Sequence, residues 1–189
     1  MFSKPIVLAS QSPRRKQLLE WAEIPFEVIV QSTDESFPAG MPVDEVPVYI
    51  ARQKAAAVRL LSKNSIIIAA DTIVVLGNEI IGKPADRDHA LKILAQLSGQ
   101  KHQVITGVVI GDGEREIAFS DITDVWFHEL SAEQIAFYVD KYKPYDKAGA
   151  YAIQEWIGVT GIKSIRGDFY NVMGLPVSRV VQELKKINA

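Results

Sequence analysis

Residues 65–77, SIIIAADTIVVLG, constrain this chain more than any other stretch. Ile66, Ile67, Ile68, Ala69 and Ala70 run without a polar break, Asp71 and Thr72 follow, and Ile73 to Leu76 resume the apolar run. β-Branched residues at this density belong to a strand buried in a sheet. An ionised carboxylate there needs a partner, because taking it out of water alone is strongly unfavourable. Asp71 is therefore either a structural aspartate, satisfied by backbone N–H groups or an arginine, or a functional one. The functional roles open to it are general base and metal ligand.

The remaining pattern places that strand in a mixed α/β fold. Pro5–Ala9 and Phe26–Gln31 read as strands, on either side of a helix that starts with Ser12 as N-cap and Pro13 at its first position. The loop STDESFPAGMPVDEVP leads into a helix from Val46 to Leu61. After the central strand, Asn78-Glu79 reads as a turn into Ile80-Ile81, and Asp86–Leu97 as a helix with Ala90, Leu91, Leu94 and Leu97 at helical spacing. Two long strands, Gln103–Ile110 and Glu116–Glu129, flank a GDG turn. Ser131–Tyr142 is a helix opened by a Ser131/Gln134 capping box, Tyr151–Val172 reads as strand and turn, and Pro176–Ile187 as a closing helix. Hairpins mixed with helical crossovers predict a mixed sheet, not a strictly doubly wound one.

The bulk properties narrow the class. The 189 residues suit one domain or two merged lobes, and no linker or repeat divides them. The net charge of −2 supplies no overall basic field for nucleic acid or anionic membrane. With no cysteine there are no disulfides, thiolate metal sites or cysteine nucleophiles. No apolar run reaches the ~20 residues of a membrane helix, and the expectation is a cytoplasmic protein.

Four further features break the apolar pattern. Lys54 lies on the core stripe of its helix, between Ile50 and Val58. It is either a snorkelling lysine or an ammonium delivered to a phosphate or to Asp71. In SQSPRRKQLL, Arg14 and Arg15 occupy a helical first turn, where the dipole disfavours cations. With Ser10 and the free N–H groups they suggest an anion, against the alternative of a solvated basic helix end. Gly77, Gly82 and Lys83 fit the start of a P-loop, but Pro84 stands where Ser or Thr is required, and that reading fails. Lys83 could still reach a phosphate from a hairpin edge. Asp34 and Glu35 fall in a polar loop, either solvated or, with Asp71, supplying oxygens for a magnesium ion. His89, His102 and His128 show no metal-ligand spacing.

At these residues the chain resembles the Maf family of nucleotide pyrophosphatases, over nearly its whole length. The motifs are LASQSPRR (8–15), YIARQKA (49–55), AADTIV (69–74), GKP (82–84), LSGQKHQVITGV (97–108), DKAGAYAIQ (146–154) and NVMGLP (171–176), all in order. The resemblance implies one Maf-like domain over residues 1–189, with an elongated mixed sheet flanked by helices and a cleft between two lobes, akin to inosine triphosphate pyrophosphatases. It implies hydrolysis of a nucleoside triphosphate to monophosphate and pyrophosphate with Mg²⁺ or Mn²⁺. Asp71 matches the family's proton acceptor, and Arg14, Thr72 and Gln154 match positions linked to base choice. The glutamine ending DKAGAYAIQ is similar to the dTTP/UTP subgroup and unlike the 7-methyl-GTP subgroup. The expected division of labour gives Asp71 the water or the metal, with Glu35 as the second candidate for metal ligand or base. Ser10, Arg14, Arg15, Lys54 and Lys83 hold the triphosphate. Gln154 offers a donor and an acceptor to the base. The family is also named for inhibiting septum formation, so a non-enzymatic binding role is the competing expectation, and a homodimer would be unsurprising.

Overall fold

Alternating apolar strands and amphipathic helices assemble around one mixed sheet. The computed structural model describes residues 2–188. In chain order these form β1 (Ile6–Leu8), α1 (Pro13–Trp21), β2 (Glu27–Val28), α2 (Val46–Arg59), β3 (Ile66–Leu76), β4 (Glu79–Ile81), α3 (Arg87–Leu97), β5 (Lys101–Gly111) and β6 (Glu116–Phe127). Then come α4 (Ala132–Tyr142), a 3₁₀ turn at Ala148–Ala150, α5 (Trp156–Gly161), β7 (Ile162–Arg166), α6 (Phe169–Met173) and α7 (Val177–Asn188). The seven-stranded sheet runs β2-β1-β3-β5-β6-β7, with β4 paired to β3. β1 is parallel to β2 and β3, whereas β3–β4 and β6–β7 are antiparallel, so the sheet is mixed as expected. Among the described residues no helix is long and apolar enough to cross a membrane.

The chain divides into two compact units. One comprises the residues up to Asp71, Thr106–Asp121 and the chain from Gly174 on; the other comprises Thr72–Ile105 and Ile122–Met173. In the first, the parallel register Ile6↔Ile66, Val7↔Ile67, Leu8↔Ile68 buries all six of these residues, which is why the triple isoleucine shows no alternation. α2 covers them through Ala51 and Val58, packed on Val7, Ala9, Ile67, Ala69 and Val109. Small residues at 51 and 69 allow a close approach, and Gly107 sets its limit. A Cβ there would lie 2.2 Å from the Val48 nitrogen and 2.3 Å from the Pro47 carbonyl carbon. The first turn of α2 thus rests on bare strand backbone, which fixes the helix that carries Lys54 two turns later.

In the second unit α4 opens with the predicted capping box, and Arg87 of α3 clasps Asp140 of α4 through two hydrogen bonds, of 2.6 and 2.9 Å. Asp124, only 5% exposed, is pushed up by burial. Bonds from Gln103, Arg166 and Lys101 outweigh that and leave its pKa below the usual carboxylate value. His102 is 1% exposed, hydrogen-bonded to the Tyr151 hydroxyl at 2.7 Å and edge-on to Phe127.

Three expectations shift. The strand expected over Phe26–Gln31 shrinks to β2, because only Glu27 and Val28 pair with β1 and both stay exposed. The turn after β3 is Gly77-Asn78, not Asn78-Glu79. Gly77 takes φ +61° at the first loop position, as a II′-type hairpin requires, and Glu79 already pairs with Leu76. Residues 156–173 hold two short helices, α5 and α6, where strand and turn were expected. Gly158, Thr160 and Gly161 give α5 poor intrinsic helicity, so tertiary packing decides it.

Burial lowers the His102 pKa to about 4. Between the unfolded value near ~6.5 and that folded value the unfolded chain binds the extra proton, so stability falls as pH falls through this window. Urea titrations should show a loss of about 3 kcal/mol between pH 7 and pH 4 from this group, and His102→Gln should flatten the slope. An unchanged slope in the variant would assign the acid sensitivity elsewhere.

Candidate active site

The site is built from breaks in two apolar patterns. β3 delivers Asp71 at the point where its five fully buried residues end, on the same strand face as Ile67 and Ala69 and therefore under α2. α2 delivers Lys54 on its buried stripe. The two meet: Lys54 Nζ lies 2.7 Å from Asp71 Oδ1, with the side chains 16% and 15% exposed. The loop after β2 adds Glu35, whose Oε1 lies 2.7 Å from the same nitrogen, although Glu35 itself is half exposed. One ammonium thus bridges two carboxylates contributed by a strand and a loop. Lys54 is no snorkelling lysine, and the partner that makes Asp71 tolerable in its strand is this lysine. Asp34 behaves differently: it accepts the Ser36 N–H at 3.0 Å and the Ser36 hydroxyl at 2.8 Å. Those bonds lower its pKa and mark it as a loop-forming residue.

α1 supplies the second part. Ser12 caps it as expected, accepting the Arg15 N–H. Ser10 Oγ accepts the Ser12 N–H at 3.2 Å and an Arg15 Nη1–H at 3.1 Å, and Arg15 Nε donates to the Gly174 carbonyl at 2.8 Å. Arg15 is buried, at 8% exposure. Burial lowers its pKa, and the charges of Asp71 and Glu35 counter that effect while Arg14 adds to it. Its guanidinium therefore ties the LASQSPRR segment to the NVMGLP segment and lends positive potential to the carboxylates. Arg14, its neighbour in the first turn, is partly exposed. Of the residues expected to act together, Ser10, Arg15, Glu35, Lys54 and Asp71 are joined by these bonds and charges.

Thr72, Lys83 and Gln154 belong to the other compact unit. Thr72 follows Asp71 on β3 and faces the opposite side of the strand. Lys83 is exposed just beyond β4, and its neighbour Gly82 accepts the Gly149 N–H at 3.1 Å. Gly149, at φ +69°, lies so close to β3 that a Cβ would meet Val74 Cγ2 at 2.9 Å. The GKP and DKAGAYAIQ motifs are thereby held side by side. Gln154 is exposed at a turn between Ala152 and Glu155, closed by the Glu155 N–H on the Ala152 carbonyl at 3.1 Å.

Two contributors escaped sequence reasoning. Gly174 acts through its carbonyl, which no side-chain pattern exposes. Tyr138, buried on α4, takes part in the Gln154 turn through its hydroxyl. The signal available for Tyr138 was the one used for Lys54, a polar group on a helix's buried stripe between Ile135 and Val139.

A hard cation suits part of this set. Among the described residues no three His, Cys, Asp or Glu side chains are grouped for a metal. Glu35 and Asp71 nevertheless converge on one point, now held by the Lys54 ammonium, and two carboxylates are the protein share that Mg²⁺ takes when phosphate oxygens and water supply the rest.

A mixed-sheet α/β protein that sets a lysine between a pair of carboxylates, with a buried arginine in their field, is of the phosphate-handling class. The chain belongs to the Maf family: the Maf-like protein family model matches residues 5–187. It is 51% identical to the dTTP/UTP pyrophosphatase of Cytophaga hutchinsonii, covering 96% of this chain and 84% of that protein. It is 48% identical to the protein of the same name from Bacteroides thetaiotaomicron, covering 96% and 95%. The Parabacteroides distasonis protein, also named dTTP/UTP pyrophosphatase, is 50% identical with 95% and 94% covered.

The bonds of Arg15 make a stability prediction. Arg15→Lys loses the fork that reaches Ser10 and Gly174 together, leaving a buried acceptor short of a donor. Chemical denaturation should show a loss of about 2 kcal/mol, whereas Lys16→Met, on the exposed side of α1, should stay within ~0.5 kcal/mol.

Proposed function

We propose that the chain hydrolyses nucleoside triphosphates, dTTP and UTP foremost, to the monophosphate and pyrophosphate, acting in the cytoplasm. The observation that carries this is the Lys54 ammonium at 2.7 Å from both Asp71 and Glu35, in a chain whose relatives carry that activity in their names. Such an arrangement can handle both a proton and a polyanion.

In this mechanism Asp71 takes a proton from the water that attacks the α-phosphorus, in line with the departing pyrophosphate. Lys54 orients that carboxylate through their hydrogen bond and, when substrate enters, offers its remaining donor to a phosphate oxygen. Arg14 and Ser10 bind the same charge, while Arg15 supports them through its bond to Ser10. Lys83 adds a further cation to the triphosphate. Glu35 and Asp71 are the residues that would hold a divalent cation. Bound Mg²⁺ or Mn²⁺ would supply neutralisation of the phosphate charge. Gln154 presents an amide with one donor face and one acceptor to the uracil or thymine edge, and Thr72 contributes to that choice.

Pyrophosphate release, followed with Mg²⁺ or Mn²⁺ over a panel of standard and modified nucleoside triphosphates, should be fastest with dTTP and UTP and should stop on chelation. Asp71→Asn should lower kcat by about 10²–10⁴-fold, the usual span of a lost general base. Release by no substrate would favour a purely binding role in septum formation, and release from 7-methyl-GTP alone would reverse the assignment of the base.

A further inference from the structure

Gln154 can discriminate between bases only if its backbone is held still, and what holds it lies on another element. We propose that the Tyr138 hydroxyl is a specificity-determining positioning group, which ties together the two ends of the Ala152–Glu155 turn and so fixes how Gln154 is presented to a pyrimidine. The inference rests on the role given to Gln154 above.

Tyr138 is fully buried in α4, with its ring stacked on Tyr142 at 5.0 Å. Its hydroxyl accepts the Ala152 N–H at 3.2 Å and donates to Glu155 Oε2. These two residues are the first and last of the turn whose third residue is Gln154. The Glu155 carboxylate is held from its other oxygen by the buried Lys147, at 3.7 Å. Immediately downstream, the Glu155 carbonyl accepts the N–H groups of Gly158 and Val159 as α5 begins. Gly158 presses on the same turn: a Cβ there would stand 1.7 Å from the Ile153 carbonyl oxygen. Ala152 and Ile153 are buried and Gln154 is exposed, so the turn is anchored beneath and open at Gln154. A residue needed only to fill the core would serve as well without the hydroxyl. Here the hydroxyl joins two backbone-defining points three residues apart.

Tyr138→Phe keeps the ring and removes only the clamp. The measurement is the ratio of kcat/KM for UTP over CTP, with Gln154→Ala alongside. Tyr138→Phe should lower the ratio about tenfold, through a rise in KM for UTP with kcat within threefold of the parent. A merely structural role would depress both substrates together and leave the ratio intact. Glu155→Ala should reproduce the loss and Glu155→Gln, which still accepts from the hydroxyl, should restore most of it. Should Tyr138→Phe not fold, the Glu155 pair carries the same expectation. If Gln154→Ala collapses the ratio while Tyr138→Phe and Glu155→Ala leave it within twofold, the positioning role is overturned and the base-reading role stands. If Gln154→Ala itself leaves the ratio unchanged, the base-reading role fails and this inference falls with it.

Discussion

The structure of the site depends on a single ammonium. Lys54 sits 2.7 Å from Asp71 and 2.7 Å from Glu35, and without it β3 would carry an unmatched carboxylate at the end of a fully buried run. Removing one partner of such a partly buried pair is destabilising, whereas an intact pair contributes little net stability. The pair is therefore poorly explained as a stabilising device. Its retention on a strand this rigid makes sense if the carboxylate has work that an apolar residue could not do. The surrounding architecture serves that placement: alanines at 51 and 69 and the bare backbone of Gly107 let α2 settle low enough for a lysine to reach the strand.

Much of this was legible because the signal was a violation. Asp71 in an isoleucine-rich strand and Lys54 on an apolar helical stripe are conspicuous, and the physical cost of leaving either alone predicts that they find each other. Element types were legible from equally plain signals: continuous apolar runs gave β3, period-3.6 spacing gave α2 and α3, and the Ser131/Gln134 capping box gave α4. The second half of the chain was harder to read. α5 and α6 are short and one is glycine-rich, so local propensity points away from helix and only packing, such as that of Gly158 against Ile153, decides the outcome. β2 shows the opposite failure, a strand-like composition whose pairing partner β1 engages only two of its residues.

The arginines of α1 show how a correct premise can still leave the role open. Cations in a helical first turn are disfavoured by the dipole, which argued for a compensating anion. For Arg15 part of the compensation is internal. Two bonds, to Ser10 and to the Gly174 carbonyl, together with the field of Asp71 and Glu35, hold it in place at near-complete burial. Sequence cannot reveal this, because a carbonyl acceptor 159 residues away leaves no side-chain signature. The consequence is a separation of labour between adjacent residues. Arg14 is left partly exposed, where the proposed function needs it, while Arg15 fastens the helix start that carries it.

The same separation recurs around Gln154, and it bears on how discrimination can be achieved at all. A glutamine amide distinguishes a uracil edge from a cytosine edge only through which of its groups donates and which accepts, and a small backbone rotation would blur that difference. If Gln154 reads the base as proposed, bonds that contact no substrate carry part of the selectivity. In the turn they come from Tyr138, Lys147 and the start of α5, and each acts on backbone or on Glu155 and none on the Gln154 amide. In the proposed role, holding Gln154 by its flanks leaves the amide to the base while removing freedom that would otherwise be lost on binding. A buried tyrosine hydroxyl suits that task better than an exposed side chain, since in a low-dielectric setting its bonds are hard to exchange for water.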